Sequence, residues 1–169
     1  MIAKRKKAKA SVAGARAQQG KNGVVGSKLV ISLSQDSELR QLESQALSGD
    51  ANIAYYLANL YYTNPFAQDT VKGWKFLLLA AGLGNMYAEA DMGTIYYRKA
   101  KTAADKKAVF DWFKAAAKHG HAEAMMVLSH FYQRGYGCRC DLGKAQIWEE
   151  NAKFNNYDID SFLHILGLN

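Results

Sequence analysis

Among the 169 residues, the side chains able to move a proton, attack an electrophile or hold a metal ion do not assemble into a complete catalytic pattern. His119 and His121 flank Gly120 where a helix is expected to end, and a cation there complements the helix dipole, so both read as capping residues. His130 lies within a helical apolar pattern and His164 near the C-terminus, and neither has a carboxylate or cysteine at ligand spacing. Cys138 and Cys140, the only two cysteines, are separated by a single residue in a glycine-rich stretch. That is too close for an unstrained disulfide and too few donors for zinc, so they are expected as reduced thiols. Gly14 and Gly20 followed by Lys21 have the outline of a phosphate loop, but five residues separate the glycines where four are needed, and Asn22 replaces Ser or Thr. Gly-x-Ser-x-Gly, His-Glu-x-x-His and Ser-x-x-Lys do not occur. The chemistry expected is therefore binding, with no enzyme activity, no cofactor and no metal site.

Asp69, Asp105 and Asp141 point to what must position these groups, because they recur every 36 residues, each near the start of a predicted helix, where an acid caps free N–H groups. The same step governs other columns. Ala80, Ala116 and Ala152 are spaced by 36, as are Phe76, Trp112 and Trp148, and Gly84, Gly120 and Asn156. Leu57, Met92 and Leu128, and likewise Tyr61, Tyr96 and Tyr132, are spaced by 35 and then 36. A fixed period of about 20–50 residues marks a repeat architecture. Within each unit Leu57–Tyr61, Met92–Tyr96 and Leu128–Tyr132 are i,i+4 pairs, and Phe76–Ala80, Trp112–Ala116 and Trp148–Ala152 form a second set, so each unit reads as two helices. Small residues beside the large ones (Ala58, Gly93, Ser129) allow close backbone approach. Asn64-Pro65 and Gly135-x-Gly137 break the chain between helices, and Gly84 and Gly120 stand where the second helix must stop. The aromatic stripe reads as core, so Tyr96→Ala is expected to cost about 3–5 kcal/mol.

The third unit, with Ala124, Leu128, Tyr132, Gly135, Gly137, Asp141, Lys144, Ala145, Trp148 and Ala152, is similar to the Sel1-like repeat, a relative of the tetratricopeptide repeat. The second unit matches through Ala88, Gly93, Tyr96, Trp112, Ala116, Ala117 and Gly120. The first departs from the pattern at Ile53, Ala58, Gly73 and the Asn64-Pro65 loop. The resemblance spans residues 51–156 and implies an all-α fold, a right-handed α/α solenoid of stacked helix-turn-helix repeats of tetratricopeptide type. The expected organisation is a basic flexible, disordered tail over 1–33 and a solenoid over 34–169. The solenoid divides into an N-terminal capping helix (34–50), repeat one (51–86), repeat two (87–121), repeat three (122–156) and a C-terminal capping helix (157–169), about eight helices in all.

Composition agrees with a folded soluble chain: 49% hydrophobic, 22% charged, one proline. No apolar run approaches the ~20 residues of a membrane span, and none follows the basic N-terminus as a signal peptide requires. With its reduced cysteines the chain is expected in the cytoplasm, of a bacterial cell. The net charge of +7 is uneven: residues 1–28 hold eight cations, among them Lys4, Arg5, Lys6, Lys7, Lys9 and Arg16, and no acid.

Two functions follow. A solenoid's first helices line an extended surface, and by analogy with tetratricopeptide geometry its partner-facing positions are Tyr55, Asn59, Tyr62, Tyr87, Thr94, Tyr97, Arg98, Met126, His130 and Arg134. The resemblance implies an adaptor, regulator or immunity-type inhibitor holding a protein partner there. The alternative is a sequence-independent tether to nucleic acid or an anionic surface through the tail.

Overall fold

The computed structural model describes residues 37–64 and 68–155. The chain divides into two compact units, residues 1–42 and 43–169. In the first unit the described residues, 37–42, are helical and begin α1 (residues 37–47). The second unit carries the rest of α1 and six further helices: α2 (Ala51–Thr63), α3 (Thr70–Gly82), α4 (Met86–Lys99), α5 (Ala103–Lys118), α6 (Ala122–Arg134) and α7 (Leu142–Phe154). No strand occurs among the described residues. The tail (1–33) and the C-terminal capping helix (157–169) expected from sequence lie outside the described residues.

Each helix starts and stops for a local reason. Asp50, Asn85 and His121 cap α2, α4 and α6, each accepting hydrogen bonds from backbone N–H groups of the first turn. Asp69 and Asp141 cap α3 and α7, as the recurring acids predicted. Asp105 acts one turn later: it is the third residue of α5 and forms a capping box with Thr102. Gly49, Gly84 and Gly120, which precede the first-helix caps, have φ of 112°, 84° and 99°, a region that side chains resist. His121 thus corrects the sequence reading. It caps a helix N-terminus as a neutral acceptor, where a cation would oppose the dipole. His119 ends α5, as expected, with Nδ1 2.7 Å from Oε2 of the buried Glu89.

Consecutive helices pack as hairpins, α2 on α3, α4 on α5 and α6 on α7, joined through α3–α4 and α5–α6 contacts. The repeat columns are the core: Leu57, Met92 and Leu128 are fully buried, as are Ala80, Ala116 and Ala152. Gly93 is needed because an added Cβ would lie 2.8 Å from the Phe113 ring. Gly73 has the same role in the first hairpin, where the Tyr62 ring lies over it.

The aromatic column is not uniform. Tyr61 and Tyr132 are buried beneath Lys72 and Lys144, whose ammonium groups stand 5.1 and 5.6 Å from the ring centroids. The corresponding place beside Tyr96 is held by Ala108, which is too short to cover a ring, and Tyr96 is 40% exposed. The 3–5 kcal/mol expected for Tyr96→Ala therefore belongs to fully buried aromatics and overstates the loss at Tyr96. Trp112 and Trp148 are half-buried. Cys138 and Cys140 are free thiols.

Candidate functional site

The first helices of the three repeats, α2, α4 and α6, bring together side chains that are far apart in sequence. Tyr55 of α2 stacks on Tyr87 of α4, with centroids 5.8 Å apart and planes at 19°. Tyr87 in turn meets His121, the cap of α6, edge-on at 5.3 Å. The Tyr55 hydroxyl donates to Oδ2 of Asp91 at 3.1 Å. These groups border an open cleft of about 520 Å³, whose walls also include Met86, Glu123 and Asn155.

Electrostatics in the cleft are set by partial burial. Burial pushes the Asp91 carboxyl up, opposed by the Tyr55 hydrogen bond and by His121 in its protonated form. It pushes the Tyr55 phenol up as well. His121 is pushed down, again mainly by burial, against the pull of Glu123 and Asp91. The neutral ring also suits its cap, in which Nδ1 accepts from the Ala124 N–H at 3.3 Å. A histidine held below its unfolded value binds fewer protons when folded. Its contribution to stability is complete above the reference value of 6.5 and is lost as pH falls below that toward the folded value. His121→Asn keeps an acceptor of the kind Asn85 supplies, and removes this titration. The expected result is a smaller fall in melting temperature between pH 7.5 and 5.5 than in the parent protein; equal slopes would show that His121 does not titrate in this way.

Of the ten positions expected to face a partner, Tyr55 and Tyr87 line the cleft. Asn59, Thr94, Arg98 and Arg134 are exposed on the first helices. Tyr97 is 52% exposed and lies 5.6 Å from Tyr136 and 6.4 Å from Phe131, in a second aromatic cluster. Tyr62 is half-buried against Gly73 of its own hairpin. Met126 is a correction: it is 4% exposed and belongs to the core around Leu128, since two residues before the central leucine is an interior position in this helix. His130 is half-buried, with Nε2 lacking a hydrogen-bond partner among the described residues. The six tail cations lie outside the described residues.

Sequence reasoning missed Asp91, His121 and Glu123 as cleft residues. The available signal was the place of His121 directly after a periodic glycine, which fixes a helix start on the same face as Tyr55 and Tyr87. Among the described residues no group of three or more His, Cys, Asp or Glu side chains could hold a metal ion, and no helix is long and apolar enough to cross a membrane.

No protein-family model matches the sequence. The chitin synthase regulator SKT5 of Saccharomyces cerevisiae is 32% identical over 120 residues, which cover 68% of this chain and 17% of that protein. The chain therefore spans about a sixth of the length of this relative. A Sel1 repeat protein from Oxalobacter formigenes is 28% identical, with a TM-score of 0.65 over 72% of this chain and 92% of its own. The protective antigen c5321 of uropathogenic Escherichia coli, a protein with the Sel1-like repeat fold, is 28% identical, with a TM-score of 0.53 over 68% of this chain and 25% of its own. The buried columns recur every 35 or 36 residues in three helical hairpins, and these solved structures share that build. The chain belongs to the Sel1-like repeat family.

Proposed function

We propose that the protein is a binding module, an adaptor or regulator that holds a protein partner along the face formed by α2, α4 and α6. The observation that carries this reading is the file of partly exposed rings, Tyr55 of α2, Tyr87 of α4 and the α6 cap His121, that stands beside an open cleft. Tyrosine supplies large contact area at low entropic cost and is enriched among residues that dominate binding. The recurring acids are engaged at helix starts, Asp69 and Asp141 as caps and Asp105 in a capping box. SKT5 is a regulator of chitin synthase, and the likeness supports a regulatory role by binding; the choice between adaptor, regulator and immunity-type inhibitor is a choice of partner.

Tyr87→Ala combined with Tyr97→Ala, at 49% and 52% exposure, is expected to lose partners captured by the parent protein while melting within a few degrees of it. Trp74→Ala on α3, outside this face, is expected to retain them. Capture unchanged by the double substitution would rule out this face.

The charge asymmetry of the sequence favours a second reading, in which the eight cations of residues 1–28 tether the protein to nucleic acid or an anionic surface. Deletion of residues 1–28 is then expected to abolish salt-sensitive binding to random DNA. Binding that persists without them dismisses the tether.

A further inference from the structure

The walls of the cleft specify the charge of what enters it. Two carboxylates, Asp91 and Glu123, border it, and among the described residues no lysine or arginine does. His121, the remaining basic group there, holds its cap with an unprotonated nitrogen. Asp91 is half-buried and accepts the Tyr55 hydroxyl on Oδ2, while Oδ1 accepts no hydrogen bond among the described residues. Oδ1 is therefore open to solvent, where a cation entering the cleft can pair with it. Beside it stand two stacked tyrosine rings, 5.8 Å apart, and the electron-rich face of such a ring attracts a planar cation. A cleft of about 520 Å³ lies within the ~300–1,000 Å³ typical of ligand sites, and it is open to solvent, which leaves room for an entering chain.

We propose that this cleft is the receptor for one arginine side chain of an extended partner segment, with the guanidinium placed against Asp91 and Glu123 and over the Tyr55–Tyr87 pair. This deepens the function proposed above and rests on it, because it assigns to one point of the first-helix face a defined ligand chemistry. Arginine fits better than lysine: its flat fork pairs with a carboxylate through two parallel bonds and stacks on rings, and it is more weakly hydrated than an ammonium. A partner's acidic segment would meet like charge at the same place.

The test uses the full chain and capped, flexible nonapeptides of Gly and Ser with one central arginine, or with citrulline, the neutral near-isostere. Backbone amide resonances of Tyr55, Tyr87, Asp91 and His121 are followed during titration. The arginine peptide is expected to move them with a dissociation constant in about the millimolar range, at least about tenfold tighter than the citrulline peptide. Asp91→Asn retains the acceptor for Tyr55 and should erase that preference. Glu149→Gln, on α7 and paired with Lys153, should preserve it. Equal binding of both peptides, a preference that survives Asp91→Asn, or no response up to about 10 mM would overturn the proposal. Free arginine amide binding as tightly as the peptide would overturn it as well, in favour of a small cation. Equal binding of both peptides would still leave a peptide surface on the first helices, so the cation fails there without the broader function, which is judged separately by the loss of captured partners in the Tyr87/Tyr97 variant.

Discussion

Gly137→Ala is expected to destabilise the protein by about 2–5 kcal/mol, lowering its melting temperature by roughly 4–20 °C. Two penalties combine at this position. Gly137 sits in the left-handed region, with φ of 68°, in the loop between α6 and α7. An added Cβ would also fall onto the Lys106 carbonyl group and lie 2.9 Å from Cβ of Phe110, both on α5. Backbone cannot rotate away as a side chain does, so the contact between the second and third hairpins must open. Gly82→Ala is the internal comparison. Gly82 ends α3 with nothing within 4 Å of an added Cβ, and its substitution should leave the melting temperature unchanged or slightly raised. Similar melting of the two variants would mean that the loop yields freely and that Gly137 does not hold the hairpins together.

The second large effect is expected at Leu128. This side chain is fully buried at the centre of a cluster that includes Val109, Phe113, Phe131 and Ala145. Leu128→Ala removes its contacts and leaves a cavity that the surrounding helices fill only in part, at a cost of about 2–5 kcal/mol. Leu142, 69% exposed at the start of α7, supplies the contrast, and its change to alanine should alter stability by no more than about 0.5 kcal/mol. Denaturant midpoints for both variants would check this. A loss at Leu128 as small as that at Leu142 would remove the periodic leucine column from the core.

The helices and most of the core were legible because a repeat presents the same environment several times. Leu57, Met92 and Leu128 are interchangeable in kind and all fully buried, so the period alone marks them. The glycines and the caps Asp69 and Asp141 were legible for a related reason, since a helix end needs a left-handed residue and a helix start an acceptor for free N–H groups, and few residue types supply either, whereas Asp50, Asn85 and His121 as caps became clear only in the structure. Met126 and Tyr96 escaped the same reasoning. Their places in the period are those of a surface and a core residue, but Met126 faces the third hairpin's interior, and Tyr96 lacks the lysine that covers its two counterparts.

The sequence by itself determined the pairing of helices within each hairpin, the recurring acidic caps Asp69 and Asp141 and the buried columns, because these depend on spacing of three to four residues and on a repeat of 35 or 36. Only the tertiary structure decided that Tyr55 meets Tyr87 and Asp91, that Tyr87 meets His121, and that a cleft with two carboxylates lies beside them. Those meetings cross from one repeat to the next, between residues that share no column. They depend on how far one hairpin is turned against its neighbour, which is fixed by the fit of many side chains at once and leaves no period in the chain to read.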